Sequence, residues 1–242
     1  MKQALRVVAA VALASATASQ VTGTATAAVS ARVSDLSAAR LVALSLASAQ
    51  RAGWCTNVSQ GTAVGYTFGA STDSGPDIAR QSLRLNSSSG EARLLRGRLY
   101  VRESATLLAA QFGRSAPQWA NKWLLLPAHD AVAVSLSSGM LFSSMIAQVR
   151  PTGTLRRSPV GTVRGVAVIA VSGSANARLG LTRGVETLYV AARAPFLPVE
   201  LLAGGRVQGV PTSLSVTFSQ WGHHFSLSAP TGVTPLSATD LP

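Results

Sequence analysis

RQSLRLNSSSGEARLLRGRLYVR, Arg80 to Arg102, is the stretch from which the fold is read. In Arg80 to Asn86, Leu83 and Leu85 fall on one side of an extended chain while Arg80, Ser82, Arg84 and Asn86 fall on the other, because successive strand residues point to opposite faces. Asn86-Ser87-Ser88-Ser89-Gly90 reads as a loop. Beyond it the alternation returns, with Leu95, Gly97, Leu99 and Val101 against Arg96, Arg98, Tyr100 and Arg102. Two neighbouring strands thus place aliphatic groups on one face and arginines on the other, so the sheet they belong to needs a covering layer on one side.

Toward the amino end, SDLSAARLVALSLASAQRAG begins at Ser34 and carries Leu36, Ala39, Ala43, Leu46 and Ala49 at helical spacing. Ser34 as N-cap and Gly53 as stop predict one amphipathic helix of about five turns. Trp54–Ser59 and Gly61–Phe68 then read as strands around a Gln60-Gly61 turn, with a loop from Ser71 to Asp77. Toward the carboxyl end, Ser104–Gly113, Ser115–Trp123 and Gly139–Val149 read as short helices, with Pro117 tolerated in a first turn and Arg150-Pro151 ending the last. After Thr162, VRGVAVIAVSG, GVETLYVAARAPFLPVELL and TSLSVTFSQWG are strand-like, with turn signals at Ser172-Gly173-Ser174, Gly204-Gly205 and Gly209-Val210-Pro211. Short turns in place of crossover helices imply an antiparallel sheet. No repeat or long linker divides the chain, which predicts one domain over 29–242 with a Pro-rich tail from about 230.

Of 242 residues, 47% are hydrophobic and only 12% charged, which excludes general disorder. Lys2 and Arg6 precede the apolar run Val7–Ala14 and the small-residue stretch Ala25-Thr26-Ala27-Ala28, the order of a secretory signal occupying 1–28. Cys55 is the single cysteine and lies past both the signal and the first helix, where it reads as a buried strand residue rather than a lipid anchor, nucleophile or metal ligand. The formal charge of +12 comes from 21 basic and 9 acidic residues. Such a field attracts anionic surfaces, which for an exported protein are membrane headgroups or acidic envelope polymers, and Arg84, Arg96, Arg98 and Arg102 are the contact candidates. A merely solvated basic face fits the same count.

His223-His224, within FSQWGHHFSLSAP, raises the question of a catalytic or metal site. Neighbours in an extended chain point to opposite faces and do not readily chelate one ion; zinc sites need three or four ligands, and only the distant His129 could join them. No G-x-S-x-G, S-x-x-K or H-E-x-x-H occurs. The stretch is therefore read as a strand, a Gly bend and a final strand with Trp221 packing. No catalytic residue, metal or cofactor is expected, with a cryptic hydrolase kept as the lesser alternative. Nucleic acid is not an expected partner, since no recognised module appears.

In order, the chain shows an export signal, a long first helix, Gly97-Arg98-Leu99-Tyr100-Val101, a short helix and Lys122-Trp123-Leu124-Leu125-Leu126-Pro127. Then come Thr187-Leu188-Tyr189-Val190-Ala191-Ala192, Leu197-Pro198-Val199-Glu200 and Phe218-Ser219-Gln220-Trp221-Gly222. From Ser34 to Pro230 this resembles the LolA-like superfamily of bacterial envelope proteins, in particular the LppX/LprG-like lipoproteins and their secreted, non-lipidated relatives. The resemblance implies an α+β fold, a strongly curved antiparallel sheet forming an open half-barrel whose concave face is covered by helices. It also implies an apolar cavity between the two layers that holds a lipid or other amphiphile. Two features depart from the family: no Cys follows the signal, and His223-His224-Phe225 stands where the family has a short non-aromatic pair. Leu107, Leu108, Phe112, Trp119, Trp123, Leu141, Phe142, Met145 and Ile146 are the cavity candidates, although the same side chains would equally fill a dry core. The role expected is that of a carrier, or of an envelope sensor that uses this fold to bind a lipoprotein or regulatory partner; ligand and protein partner are not named by the sequence.

Overall fold

The computed structural model describes residues 33–112 and 117–237. It shows the expected α+β architecture, a sheet of twelve strands left open, with helices over one face. Helix α1 (Ala38–Ala52) leads into β1 (Cys55–Ala63), β2 (Tyr66–Ser74), β3 (Ile78–Leu85), β4 (Ser88–Leu95) and β5 (Arg98–Glu103). Helix α2 (Ala105–Phe112), β6 (Leu124–Leu125), α3 (Ala131–Met140) and α4 (Phe142–Gln148) form the middle. Strands β7 (Thr152–Val163), β8 (Val166–Ser174), β9 (Thr182–Ala191), β10 (Pro198–Val207) and β11 (Val210–Ser219) follow, and β12 (Thr234–Pro235) ends the described chain. The spatial order is β12-β6-β5-β4-β3-β2-β1-β11-β10-β9-β8-β7, antiparallel except for β12 on β6. Pairing β1 with β11 makes one continuous sheet of the two strand runs that flank the helices.

Tight hairpins build this sheet. Val64-Gly65, Arg96-Gly97, Arg164-Gly165 and Gln208-Gly209 all have positive φ at both positions, the backbone of a two-residue turn whose twist matches its strands. Glycine takes the second position because an L side chain is strained there.

Several boundaries differ from the sequence reading, and these turns explain most of them. Gln60-Gly61 lies inside β1, and the turn comes four residues later at Val64-Gly65. Asn86–Gly90 is a turn at Asn86-Ser87 followed by the first residues of β4. The alternation read across Arg96 is two strands, not one, because Arg96-Gly97 reverses the chain between β4 and β5. Gly204-Gly205 lies within β10. Helix α1 starts at Ser37, whose side chain accepts the Arg40 N–H at 3.2 Å, while Gly53 ends it as expected. Its buried face is Leu41, Val42, Ser45, Ser48 and Ala49, leaving Ala39 and Ala43 exposed, because two small serines let the helix sit close to the sheet. Of the helix expected over Ser115–Trp123, the described part is a single 3-10 turn, Pro117–Trp119. Of the helix expected over Gly139–Val149, the part present is α4; Gly139 and Met140 end a separate helix, α3, which the sequence reading did not anticipate and which meets α4 at an angle of 76°. No single described helix is long and apolar enough to cross a membrane, and the signal expected over 1–28 lies outside the described residues.

Both sheet edges are managed by sequence. At one, the chain leaves β11, and Thr234 N–H binds Trp123 O while Leu236 N–H binds Leu125 O, placing Leu236 against Leu94, Leu99 and Leu124. At the other, β7 carries Arg156, Arg157 and Pro159 and shifts register twice against β8. Replacing Gly97 by Ala, where nothing lies within 4 Å but φ is 79°, is expected to cost about 1–2 kcal/mol. Urea unfolding measures it; an unchanged midpoint would contradict the turn assignment.

Candidate functional site

Strand register decides which side chains face the helices. On β1, β2 and β3 the inward positions include Cys55, Asn57, Phe68, Thr72, Gln81 and Leu85. On β8 to β11 they include Ile169, Val171, Glu186, Leu188, Leu201, Leu214 and Phe218. The helical cover meets this face in separate places. Helix α4 gives Phe142, Met145 and Ile146 to a cluster with Leu41, Ile169, Leu188 and Phe218. Helix α3 gives Ala133, Leu136 and Met140 to a second cluster with Leu94, Leu99, Leu108 and Phe112. Leu107 belongs to a third, with Phe68, Leu85, Leu179 and Leu214.

The α3–α4 junction is fastened to the end of β2. Ser74 Oγ donates to Met140 O at 2.9 Å, and Phe142 N–H donates to Gly75 O at 3.3 Å. Leu141 serves as C-cap of α3 and as N-cap of α4, with no side-chain cap. Beneath the cover lies a cavity of about 50 Å³, lined on the helix side by Gly139, Met145, Gln148 and Val149 and on the sheet side by Leu201, Leu214, Val216 and Phe218. Its wall also holds a polar row: Asn57, Thr72 and Gln81 stand opposite one another on three adjacent strands. Gln81 Nε2 donates to Thr72 Oγ1 at 2.9 Å, and Asn57 Nδ2 to Thr72 O at 3.4 Å. Every lining side chain is uncharged.

Glu186 sits on the same inner face, fully buried, between Gly173 of β8 and Ala203 of β10. Its Oε2 accepts the Asn176 N–H at 2.8 Å, and Asn176 Nδ2 donates to Ala147 O of α4 at 3.3 Å. Oε1 has no hydrogen-bond partner. Burial pushes the carboxyl up to about 7, opposed by the Asn176 N–H. Cys55, also inward, lies 3.9 Å from Met145 through its sulfur, and burial with the Asp73 charge pushes its thiol up to about 12, far from the range of a reactive cysteine.

The nine cavity candidates separate. Met145 lines the cavity; Phe142 and Ile146 are buried beside it in the first cluster, Leu108 and Phe112 in the second, and Leu107 in the third. Trp119 and Leu141 are half-buried at the second cluster. Trp123 lies elsewhere, its ring 4.9 Å from the Arg93 guanidinium and 5.0 Å from that of Arg102, because β6 turns it outward beside the outer residues of β4 and β5. The four arginines are not one cluster either. Arg102 pairs with Glu91 at 2.7 Å, Arg96 and Arg98 stand exposed at the β4–β5 turn, and Arg84 is at the far end of β3.

The two histidines do not form a final strand: after β11 the chain is irregular, His224 stacks on Trp54 at 4.6 Å, and His223 is exposed. Trp221 packs as expected, on Phe142 and Phe218, with Nε1 donating to Pro198 O. Among the described residues no three His, Cys, Asp or Glu side chains are grouped to hold a metal ion. Sequence reasoning overlooked the polar row and Glu186, though Glu186 shares strand parity with Leu188 and Val190, a signal that it points inward.

No family model matches the sequence, and no curated protein matches it either. Solved structures do share its fold. LprF from Mycobacterium bovis superposes with a TM-score of 0.53 at 14% identity, over 81% of this chain and 97% of LprF. The Mycobacterium tuberculosis lipoprotein LppX gives 0.52 at 13% identity, over 78% of this chain and 98% of its own. The LppX-like fold implied by the sequence resemblance is thus present.

Because the folded state holds the Glu186 proton up to about 7 while an unfolded carboxyl releases it near its ordinary value, stability should fall as pH rises through that interval, by up to about 3 kcal/mol. Glu186→Gln should remove this slope and be the more stable protein at pH 8. Urea titrations at pH 5 and pH 8 check it; equal slopes for the two proteins would be the contrary result.

Proposed function

We propose that the protein is exported to the bacterial cell envelope and there binds the uncharged part of a lipid or other amphiphile between sheet and helices, without catalysing a reaction. The observation that carries this reading is the cavity under α3–α4, enclosed by aliphatic, aromatic and amide side chains with no charge among them. Alkyl chains are held by area, at about 0.8 kcal/mol per methylene buried, and a charge in that wall would cost more than the area returns. Asn57, Thr72, Gln81 and Gln148 would meet the ester, amide or hydroxyl where an acyl chain joins its headgroup.

At about 50 Å³ the cavity is below the ~150 Å³ that accommodates a benzene-sized ligand, so binding requires the cover to move. The construction of the cover supports such movement. Its two helices pack on different clusters and meet at Leu141, fastened to Ser74 and Gly75, a junction about which the cover would hinge. The exposed arginines at Arg84, Arg96 and Arg98 would hold the protein near anionic headgroups during transfer.

An uncharged fluorescent monoacylglycerol is the direct probe. Val149→Phe, which adds bulk to the cavity wall, should weaken its binding at least tenfold while leaving the circular dichroism spectrum unchanged, and probe binding should raise amide exchange in α3 and α4. Equal affinity of parent and variant would remove the lipid reading. A stoichiometric protein, rather than a lipid, seen by native mass spectrometry after purification from the producing envelope would favour the sensor role.

A further inference from the structure

On the outer face of the sheet, opposite the helices, lies an open groove of about 670 Å³. Two transverse rows of residues, both fixed by strand register, form most of its lining, and Gly61, Phe68, Ala203 and Leu214 complete it. The first runs Arg84, Gly69, Gln60, Ser215, Leu202 across β3, β2, β1, β11 and β10. The second runs Asn86, Thr67, Thr62, Ser213, in which Thr62 Oγ1 and Ser213 Oγ lie 3.0 Å apart and Asn86 Oδ1 accepts the Thr67 N–H at 3.0 Å. That bond fixes the Asn86 amide with its NH2 group left to donate. At the centre Gly69 supplies depth: a Cβ there would meet only Ser59 O, at 3.7 Å, so the gap is not forced by crowding.

The charge pattern is as specific as the shape. Arg84 is the one charged residue in the lining. Whereas Arg80 and Arg102, also on the outer face, are paired with Asp73 and Glu91, Arg84 has no ion pair among the described residues. A row five strands wide spans about 19 Å at the usual strand spacing, the length of a short oligosaccharide. Hydroxyls and amides at regular intervals suit a ligand with many hydroxyls, and a lone guanidinium at one end suits one negative group.

We propose that this groove binds an acidic saccharide, a sugar carrying a carboxylate or phosphate that meets Arg84 while its hydroxyls meet Gln60, Thr67 and Ser215. The proposal does not use the cavity under the helices, which lies on the opposite face of the sheet, and shares only Arg84 with the headgroup contact suggested above. The sugar could come from a soluble envelope polymer or from a lipid headgroup, which the experiment separates.

Isothermal calorimetry with trigalacturonate, with uncharged maltotriose as comparison, and vesicle sedimentation with phosphatidylinositol against phosphatidylglycerol form the test. Trigalacturonate should bind and maltotriose bind at least tenfold more weakly. Arg84→Gln should lose at least tenfold. Gly69→Thr, which stands a strand-compatible side chain in the groove without changing charge, should lose as much, and Arg40→Gln, on α1, should lose nothing. The same variant pattern on phosphatidylinositol vesicles alone would support the site and assign the sugar to a headgroup. Equal binding of maltotriose, equal loss in Arg40→Gln, full binding by Gly69→Thr, or no binding of any probe would overturn the proposal.

Discussion

A twelve-stranded sheet that does not close on itself has one greasy face too broad for any single helix to shield, and the arrangement of this protein follows from that constraint. The cover is divided. Helix α4, with α1, seals the half built by β8 to β11, and α3, with α2, seals the half built by β3 to β6. The seam between the halves falls where β1 and β11 join them; its inward residues toward the α4 side are polar, Asn57, Ser59 and Thr72, and Phe68 with the third cluster fills the rest. The cavity opens where this polar row faces the cover.

Polar groups buried on the inner face carry different costs. Asn57 and Gln81 each donate to Thr72, which offsets part of the cost of their burial. Glu186 does not achieve this. One of its oxygens has a backbone donor, the other none, and the carboxyl responds by holding its proton. Through Asn176 the same residue reaches the backbone of α4, so the sheet, a loop and the covering helix share one hydrogen-bonded chain.

How much of this was legible depended on whether a residue's role is local. The alternation in Arg80–Leu85 and in Arg98–Arg102 gave the faces correctly, because strand parity is a property of the chain alone. Arg96 misled: an arginine and a glycine continue the alternation in letters, yet their positive φ reverses the backbone. Ser45 and Ser48 defeated the helix-face reading for another reason, since a close approach to a sheet selects small residues and not only apolar ones. Trp123 was placed with the cavity on hydrophobicity, but one step along β6 from Leu124 turns it to the arginines outside. The cavity itself lay beyond sequence, because whether facing side chains fill a space depends on distances between layers that no periodicity encodes.

The exposed rim at β7 has a consequence for how copies of this chain coexist. An open sheet offers its last strand as a template on which another molecule could add, and stacked copies of such sheets become fibrils. Proline at 159 removes a donor, two register shifts kink the strand, and the exposed Arg156 brings positive charge against any second copy. The sheet can therefore stay open along this border without presenting it as a ready template for a second copy.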